Sequence, residues 1–152
     1  SSAASDVYKR QEHNMPLNHI KPHGSLYVMA SKDEEIARAI ADAVETFNVS
    51  IYGMANTVHE KIYKNERKLD FIAEFYADLD YDKDGKLVIA KGKNAKYSSN
   101  LAVKRCLRAI KEKKVKNTSG TDTDVGCDII CVHSDTPNAV EIIKSLKKAL
   151  KK

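Results

Sequence analysis

The sequence predicts an α/β fold built from parallel strands that alternate with helices. Short apolar runs rich in β-branched residues, typical of buried strands, occur at 17–21, 49–53, 71–77 and 127–132. Each run is followed by a segment whose apolar residues have helical spacing. This alternation indicates parallel strands joined by right-handed crossovers. Because four such units cannot close an eight-unit barrel, we predict either a small open sheet or an incomplete (β/α) barrel.

The first part of the chain contains a segment without periodicity and a helix with a clear start signal. Residues 1–15 lack an apolar pattern, and we interpret them as a disordered leader or a non-native scar. Residues 16–152 are predicted to form a single α/β domain. Ser31 and Glu34 have capping-box spacing, which predicts that a helix begins at Ser31. The apolar stripe of this helix consists of Ile36, Ile40, Val44 and Phe47.

The middle of the chain is predicted to be less regular. Thr57 and Glu60 also have capping-box spacing, at the start of a helix that ends near Lys68. Residues 80–97 are polar and predict an irregular hairpin that turns at Asp84-Gly85.

The last part of the chain carries two further predicted helices. The first covers 98–114, and segment 115–124 after it is predicted to be a mobile loop. Thr136 is predicted to cap the final helix, with Pro137 at its first position. The apolar stripe of the final helix consists of Ala139, Ile143, Leu146 and Leu150.

Composition excludes several functional classes. The net charge of +5 comes mainly from lysines near the ends of predicted helices, where cations interact favourably with the helix dipole. These stretches lack the aromatic and arginine residues of nucleic-acid-binding surfaces, and no apolar run reaches membrane-spanning length. Three cysteines are too few for a disulfide framework, and Cys127 and Cys131 are predicted to be small core residues. We therefore expect a cytoplasmic protein that binds neither nucleic acid nor membranes.

Polar side chains follow the predicted strands at their carboxyl ends. His23 follows the first strand, Asp78 the third, and His133 and Asp135 the fourth. Because these strand ends lie on one face of a parallel β/α fold, the residues are predicted to converge. Histidines and carboxylates are typical general acids and bases. Two alternatives stay open: both histidines only satisfy turn backbone groups, or His23, His133 and Asp135 bind a metal ion.

The third strand carries a carboxylate within an otherwise buried run. Side chains alternate across a strand, so Glu74, Tyr76 and Asp78 are predicted to share one face. A buried acid is costly unless it is paired. Glu74 is therefore either a functional carboxylate that faces a barrel interior or half of a structural ion pair.

Three blocks of the sequence resemble the LamB/YcsF family, the 5-oxoprolinase A subunits, in order and in spacing. The first block is 21–27 (KPHGSLY). The second covers 74–88, with EFYAD followed by a tyrosine, DG and LV. The third is 130–140 (ICVHSDTPNAV), which is long and specific. The resemblance extends over residues 17–150.

The resemblance implies the carboxyl-terminal portion of a longer fold. The family's amino-terminal motifs, an acidic first strand and two histidine-containing blocks, have no match in this chain. The family fold is a distorted (β/α) barrel akin to polysaccharide-deacetylase-like barrels. The chain is then expected to form an incomplete part of that barrel and to expose an unpaired sheet edge or an apolar face.

The resemblance also implies an activity, the ATP-dependent opening of 5-oxo-L-proline to L-glutamate in complex with B and C subunits. ATP is the expected cosubstrate, and a divalent cation is compatible with this scheme. Lys21 would clamp an anion, and the histidines would transfer protons or stabilise the transition state. The site residues implied are the catalytic His23, His133, Asp135 and Asp78 and the substrate-binding Lys21, Glu74 and Tyr76.

The sequence departs from the family pattern where anion contacts are expected. Leu79 and Ala90 stand at positions where the family usually has arginine, and Ser134 and Asn94 at positions where it has glycine. The two arginine replacements remove two charge-assisted hydrogen-bond partners. They favour a rival interpretation, a non-catalytic homologue that binds a partner or a small acid. A second rival is a metal-dependent hydrolase of deacetylase-like type.

Overall fold

A four-stranded parallel sheet is the centre of the fold in the computed structural model, which describes residues 13–89 and 97–151. The leader at 1–12 and the positions Ala90 and Asn94 lie outside the described residues. In those ranges no helix is both long and apolar enough to span a bilayer. In chain order the elements are β1 (His19–Ile20), α1 (Gly24–Ala30), α2 (Glu34–Glu45), β2 (Ser50–Gly53), the π-helix Glu60–Glu66, β3 (Phe71–Tyr76), β4 (Asp80–Tyr81), β5 (Leu87–Val88), α3 (Ser99–Glu112), β6 (Lys114–Lys116), β7 (Asp122–Asp124), β8 (Ile129–Cys131) and α4 (Ala139–Leu150).

The sheet has the strand order β1-β2-β3-β8, and all neighbouring strands are parallel. The four predicted strands and their parallel arrangement are therefore confirmed, although each strand is shorter than its apolar run. In the described part of the chain the sheet is open, with β1 and β8 at its two ends. That the sheet is part of an incomplete (β/α) barrel stays a prediction.

Helices pack against the sheet and form two apolar clusters with it. Ile51 and Phe71 are neighbours in register, and they contact the cluster that α2 and the π-helix contribute. Farther along β3, Phe75 is fully buried in a second cluster with residues of α3 and α4. Its helical members include Ala102, Cys106, Ala109, Ile142 and Leu146. Glu74 and Tyr76 alternate with these core residues along β3, and the Tyr76 ring contacts Tyr27 of α1.

A short helix that the sequence pattern missed shifts the start of the first predicted helix. Ser31 ends α1 instead of beginning α2, and its hydroxyl donates to the Val28 carbonyl oxygen at 2.7 Å. The Asp33 carboxylate caps α2 by accepting two backbone N–H groups of the first turn at 2.9 and 3.1 Å. The predicted start at Ser31 is wrong because an ionised carboxylate is a stronger cap than a hydroxyl already bonded to its own turn.

The apolar stripes of two helices differ from their predicted membership. Phe47 is 52% exposed, whereas the smaller Ala41 is fully buried in α2. In α4, Ile142 is fully buried, while Ile143 and Leu150 are about half exposed. Adjacent helical residues differ by about 100° in direction, so a small rotation of the helix selects a different isoleucine for the core.

The start of α4 also differs from the prediction. The helix begins at Ala139, and Asn138 is its N-cap without a side-chain cap bond. Thr136 does not cap the helix, because its hydroxyl donates to the Asp78 carboxylate at 2.6 Å. Pro137 therefore precedes the helix and does not occupy its first position.

The two polar connections form antiparallel hairpins. The predicted hairpin at Asp84-Gly85 is confirmed as β4–β5, where Gly85 has a φ of 74°. The predicted mobile loop at 115–124 is wrong, since β6 pairs with β7 there. The Asn117 side chain fastens this second hairpin by donating to the hydroxyls of Thr121 (2.8 Å) and Thr123 (2.9 Å).

The predicted helix at 57–68 is present as the shorter π-helix. Its start is fastened by Glu60, whose carboxylate accepts the Asn56 backbone N–H at 2.8 Å. The Thr57 hydroxyl donates to the Met54 carbonyl oxygen at 2.8 Å and accepts the His59 backbone N–H at 3.2 Å. The predicted cap at Thr57 is therefore confirmed, whereas Glu60 binds the N–H one residue further back than predicted.

Gly126 allows the segment before β8 to pass close to two alanines. A Cβ atom at Gly126 would lie 2.6 Å from the Cβ atoms of both Ala55 and Ala73. This distance is far inside van der Waals contact, so only glycine fits without a backbone shift.

We expect Gly126→Ala to lower the free energy of unfolding by about 3 kcal/mol through overpacking. The matched control is Gly120→Ala in the β6–β7 turn, where nothing lies within 4 Å and φ is 79°. There only backbone strain opposes the methyl group, which costs about 1 kcal/mol. Urea unfolding measures both values. Equal losses in the two variants would contradict the close approach at Gly126.

Candidate functional site

Lys21 and Glu74 form an ion pair at the carboxyl edge of the sheet. Lys21 directly follows β1, while Glu74 lies on β3 and is 4% exposed. The Lys21 Nζ atom also lies 3.5 Å from Cys131 Sγ, and 5.9 and 5.4 Å from the ring centroids of Tyr27 and Tyr76. A carboxylate and two aromatic faces together stabilise an ammonium group that has left bulk water.

Tyr76 binds the carboxylate of this ion pair from the other side. Its hydroxyl donates to Glu74 Oε2 at 2.8 Å, and its backbone N–H donates to the Tyr81 hydroxyl oxygen at 2.8 Å. Burial, followed by the nearby Tyr27 and Glu74, raises the pKa of Tyr76 far above its usual range. Burial and Glu74 do the same to the pKa of Tyr27. Both phenols therefore stay neutral hydrogen-bond donors at any working pH.

Asp78 organises a second group of side chains just beyond β3. Its carboxylate accepts the backbone N–H of His133 at 2.8 Å and the hydroxyl of Thr136 at 2.6 Å. The two carboxylate oxygens lie 3.1 and 3.2 Å from His133 Nδ1. Burial opposes ionisation, but the hydrogen bonds from His133 and Thr136 outweigh it and lower the pKa of Asp78. Asp78 is thus an ionised, buried orienting group.

His133 is the member of this site whose ring can gain or lose a proton. The hydrogen bond to Asp78 raises the pKa of His133, burial opposes the rise, and the charges of Asp78 and Asp135 add to it. The imidazole stacks on Tyr76, with ring centroids 5.5 Å apart. Because Nδ1 faces Asp78, Nε2 is the nitrogen left for exchanging protons.

The two groups form one continuous cluster, which we call the edge cluster: Lys21, Glu74, Tyr76, Asp78 and His133. Tyr76 connects its halves through the hydrogen bond to Glu74 and the ring contact with His133. A histidine held by a buried carboxylate is a common arrangement for general acid or base catalysis. The edge cluster can therefore accept or deliver a proton at one defined atom.

Metal binding is not favoured by the geometry. In the two described ranges, no three side chains of His, Cys, Asp or Glu lie close enough to hold a metal ion. His23 and Asp135 are both exposed. The alternative in which these two residues and His133 are metal ligands therefore lacks a ligand group.

Comparison with known families identifies the chain. The model of the LamB/YcsF family matches residues 3–152. The chain belongs to the LamB/YcsF family. The match begins within the 1–15 segment that we interpreted as a leader, most of which lies outside the described residues.

LamB/YcsF relatives are considerably longer than this chain. The 5-oxoprolinase A subunit of Campylobacter jejuni subsp. jejuni (strain 81-176) is 40% identical over 141 residues, which cover 91% of this chain and 55% of that protein. The 5-oxoprolinase A subunit of Oceanobacillus iheyensis is 40% identical over 138 residues, covering 89% and 53%. The crystal structure of a lactam utilization protein from Thermus thermophilus matches with a TM-score of 0.80 and 31% identity. That match covers 95% of this chain and 58% of the other. This chain thus spans about half the length of the curated relatives.

All three LamB/YcsF blocks contribute to the edge cluster, and the predicted convergence of strand ends is met by Asp78 and His133. The first supplies Lys21, the second Glu74, Tyr76 and Asp78, and the third His133. Glu74 is half of an ion pair, as one of its two predicted interpretations states, because it is paired with Lys21. The two interpretations of Glu74 are compatible, because the pair belongs to the candidate site.

Two predicted site residues of this LamB/YcsF chain lie outside the cluster's contacts. His23 is exposed at the N-cap position of α1, and no hydrogen bond or ring contact of the described residues joins it to His133. Asp135 is exposed and affects His133 only through its charge. The roles of His23 and Asp135 stay predictions.

Sequence reasoning misses several residues that shape the site. It interprets Thr136 as a helix cap, and it does not single out Tyr27, although Tyr27 belongs to the first block. It assigns Cys131 to the core, but this residue is only partly buried and contacts Lys21. Arg105, which contacts the backbone beside Asp78, gives no signal in the sequence. Of these residues, Tyr27 could have been found, since a family block contains it.

His59 packs behind Tyr27 and is fully buried. Its Nδ1 accepts the Met54 backbone N–H at 3.2 Å, and its ring contacts Tyr27 edge-on at 4.6 Å and stacks on Tyr63 at 5.2 Å. Burial lowers the pKa of His59 to about 4. The imidazole is therefore neutral at pH 7.

We expect the buried ion pair to respond asymmetrically to substitution. Glu74→Gln leaves the Lys21 ammonium without its counter-ion, which we expect to lower the free energy of unfolding by about 3 kcal/mol. The double variant Lys21→Met with Glu74→Leu removes both charges and should recover most of that loss. Chemical denaturation at pH 7 measures the three proteins. A double variant that is less stable than Glu74→Gln would contradict this account of the pair.

We expect His59 to make folding pH-dependent in a defined window. Its pKa is about 4 when folded and 6.5 in the unfolded reference, so its contribution is complete above pH 6.5 and falls as the pH drops towards 4. The loss should reach about 3 kcal/mol. The control is His59→Gln, which cannot titrate but can accept the Met54 N–H. The stability difference between wild type and control should shrink over this window, and a constant difference would refute the assignment.

Proposed function

We propose that this chain forms part of a 5-oxoprolinase A subunit, which opens 5-oxo-L-proline to L-glutamate with ATP, in complex with B and C subunits. Three findings support the proposal: membership of the LamB/YcsF family, relatives named as 5-oxoprolinase A subunits, and a lactam utilization protein of similar structure. The observation that carries it is the hydrogen-bonded Asp78–His133 pair at the edge of the sheet.

The proposed chemistry is hydrolysis of a stable lactam amide. The bond between the ring carbonyl carbon and nitrogen breaks, the carbon gains the oxygen of water, and the nitrogen gains a proton. Such a reaction needs one group that takes a proton from water and returns one to the leaving nitrogen. We assign this role to His133 Nε2, while Asp78 keeps the imidazole oriented and favours its protonated form.

The remaining cluster residues are assigned to the floor of the site. Tyr76 stacks on the imidazole and donates to Glu74, which in turn pairs with Lys21. Lys21 is already neutralised by Glu74, so an anionic substrate group meets its charge only if this pair opens. We therefore place the substrate above His133. Lys21 would bind an anion, as the family resemblance implies, only when the Lys21–Glu74 ion pair is broken.

The described residues do not fit a triphosphate group. Lys21 within the cluster is paired with Glu74, and Arg105 beside the cluster donates to backbone carbonyls. Leu79 stands where the family usually supplies an arginine. No step assigned to these residues therefore passes through ATP or a divalent cation. We propose that the contacts with ATP come from other polypeptide in the complex, consistent with the naming of the relatives as one subunit among several.

The proposal includes a larger fold and a location. We infer that the open sheet is part of a distorted (β/α) barrel of polysaccharide-deacetylase-like type in a cytoplasmic protein. An apolar groove beside β8 supports this, with Ile129, half-exposed Ile143 and half-exposed Leu150 among its lining residues. Further chain, such as the longer relatives contain, would cover such a surface.

The proposal is tested with a chimera in which this chain replaces the matching 141 residues of the Campylobacter jejuni protein. Combined with B and C subunits, 5-oxoproline and ATP, the chimera should release glutamate. His133→Gln in the chimera should slow this release by about 100-fold or more, as expected for loss of a general acid–base group.

The matched control is His13→Gln, an exposed histidine outside the edge cluster, which should leave the rate unchanged. The parent Campylobacter jejuni protein shows that the partner subunits are competent. A folded chimera that assembles with these subunits but releases no glutamate would reject the enzyme and favour a non-catalytic binding homologue.

A further inference from the structure

Arg105 binds the backbone on both sides of Asp78. Its side chain extends from α3, and the guanidinium donates to the carbonyl oxygens of Leu79 at 2.8 Å and Ala77 at 3.3 Å. These two residues directly follow and precede Asp78 in the chain. Because a guanidinium is a rigid planar fork with several donors, it can keep both carbonyls at a fixed separation.

Aromatic contacts hold the guanidinium in this place. Its central carbon lies 3.9 Å from the ring centroid of Tyr97 and 6.0 Å from that of Phe75. The Tyr97 hydroxyl donates to Asp80, and its carbonyl oxygen accepts Asn138 Nδ2 at 2.9 Å, directly before α4. Arg105 therefore lies where the end of β3, helix α3 and the start of α4 meet.

A neighbouring arginine shows that this use of the side chain is distinctive. Arg108, one turn further along α3, pairs with the Asp122 carboxylate at 2.7 and 2.8 Å and with Glu112 at 2.8 Å. Its partners are surface carboxylates, and an exposed pair of this kind contributes little to stability. Arg105 instead directs its donors to neutral carbonyls beside a buried carboxylate.

We propose that Arg105 is a positioning residue that holds Asp78 where its carboxylate binds His133 and Thr136. Asp78 meets three donors within 3.2 Å, all from the segment after β8, so the turn at 77–79 must be placed accurately. Arg105 is the side chain that fixes both carbonyls of this turn. The catalytic consequence rests on the proposed function, whereas the positioning does not.

Two effects of Arg105 on His133 can be separated by their sign. As a nearby positive charge, Arg105 disfavours the imidazolium, so its removal would raise the pKa of His133. As a positioning residue, it keeps Asp78 within hydrogen-bond distance of Nδ1, so its removal lowers that pKa. The charged groups that face His133, namely Asp78, Asp135 and Lys21, all remain in an Arg105 variant.

The test is an NMR titration of His133 in this chain, with the signal assigned by its loss in His133→Gln. In Arg105→Met, we expect the pKa of His133 to fall by about 0.5 or more, towards its value in Asp78→Asn. Arg105→Lys should give a smaller fall, because one ammonium group cannot bridge both carbonyls in a planar geometry. The matched control, Arg108→Met, should leave the pKa of His133 unchanged.

A raised or unchanged pKa of His133 in a folded Arg105→Met protein would overturn the proposal. Circular dichroism establishes folding. If Arg105→Met does not fold, the pKa of His133 is measured in Arg105→Lys and in Tyr97→Leu, which removes the ring that stacks on Arg105. A raised or unchanged pKa in these folded variants would likewise overturn the proposal. The titration needs no substrate, so it is independent of the activity assay. A lowered pKa together with an inactive chimera keeps the positioning role and rejects the proposed function.

Discussion

The buried carboxylate of Asp78 is the constraint on which the carboxyl edge of the sheet depends. An ionised carboxylate removed from water is tolerable only if its oxygens accept hydrogen bonds. Its donors are the backbone and ring of His133 and the hydroxyl of Thr136, all from the segment after β8. The hydrogen bonds to Asp78 therefore fix the conformation of that segment and orient the imidazole. They also engage the Thr136 hydroxyl, which does not cap α4. The missing side-chain cap of α4 is a consequence of this stronger hydrogen bond.

The same edge of the sheet contains a second buried carboxylate, Glu74, which is stabilised in a different way. Glu74 is neutralised by Lys21 and accepts a hydrogen bond from Tyr76, whose pKa is raised so far that it stays a donor. Tyr76 contacts both groups, because its hydroxyl binds Glu74 and its ring stacks on His133. The resulting site has a buried ion pair, neutral phenols and one imidazole whose pKa is raised by its bond to Asp78. That combination suits the transfer of a proton at His133 Nε2.

Prediction from the sequence succeeded where the signal was local and regular. The four strands and the main helices follow from apolar periodicity, and the convergence of Asp78 and His133 follows from their positions at strand ends. It failed where two local options were close in free energy. Ser31 and Asp33 are both good caps, and segment 115–124 contains loop-forming residues although Asn117 fastens it as a hairpin. Such choices depend on partners that a spacing rule does not include.

By itself, the sequence determined the parallel arrangement of the four strands and the three family blocks, because these depend on patterns within each segment. Only the tertiary structure decided how the polar groups pair. It showed that Thr136 binds Asp78 instead of a helix end, and that Arg105 binds the carbonyls beside Asp78. The physical reason is competition. Each donor goes to the strongest acceptor that the fold brings within reach, and residues distant in sequence become neighbours only after folding.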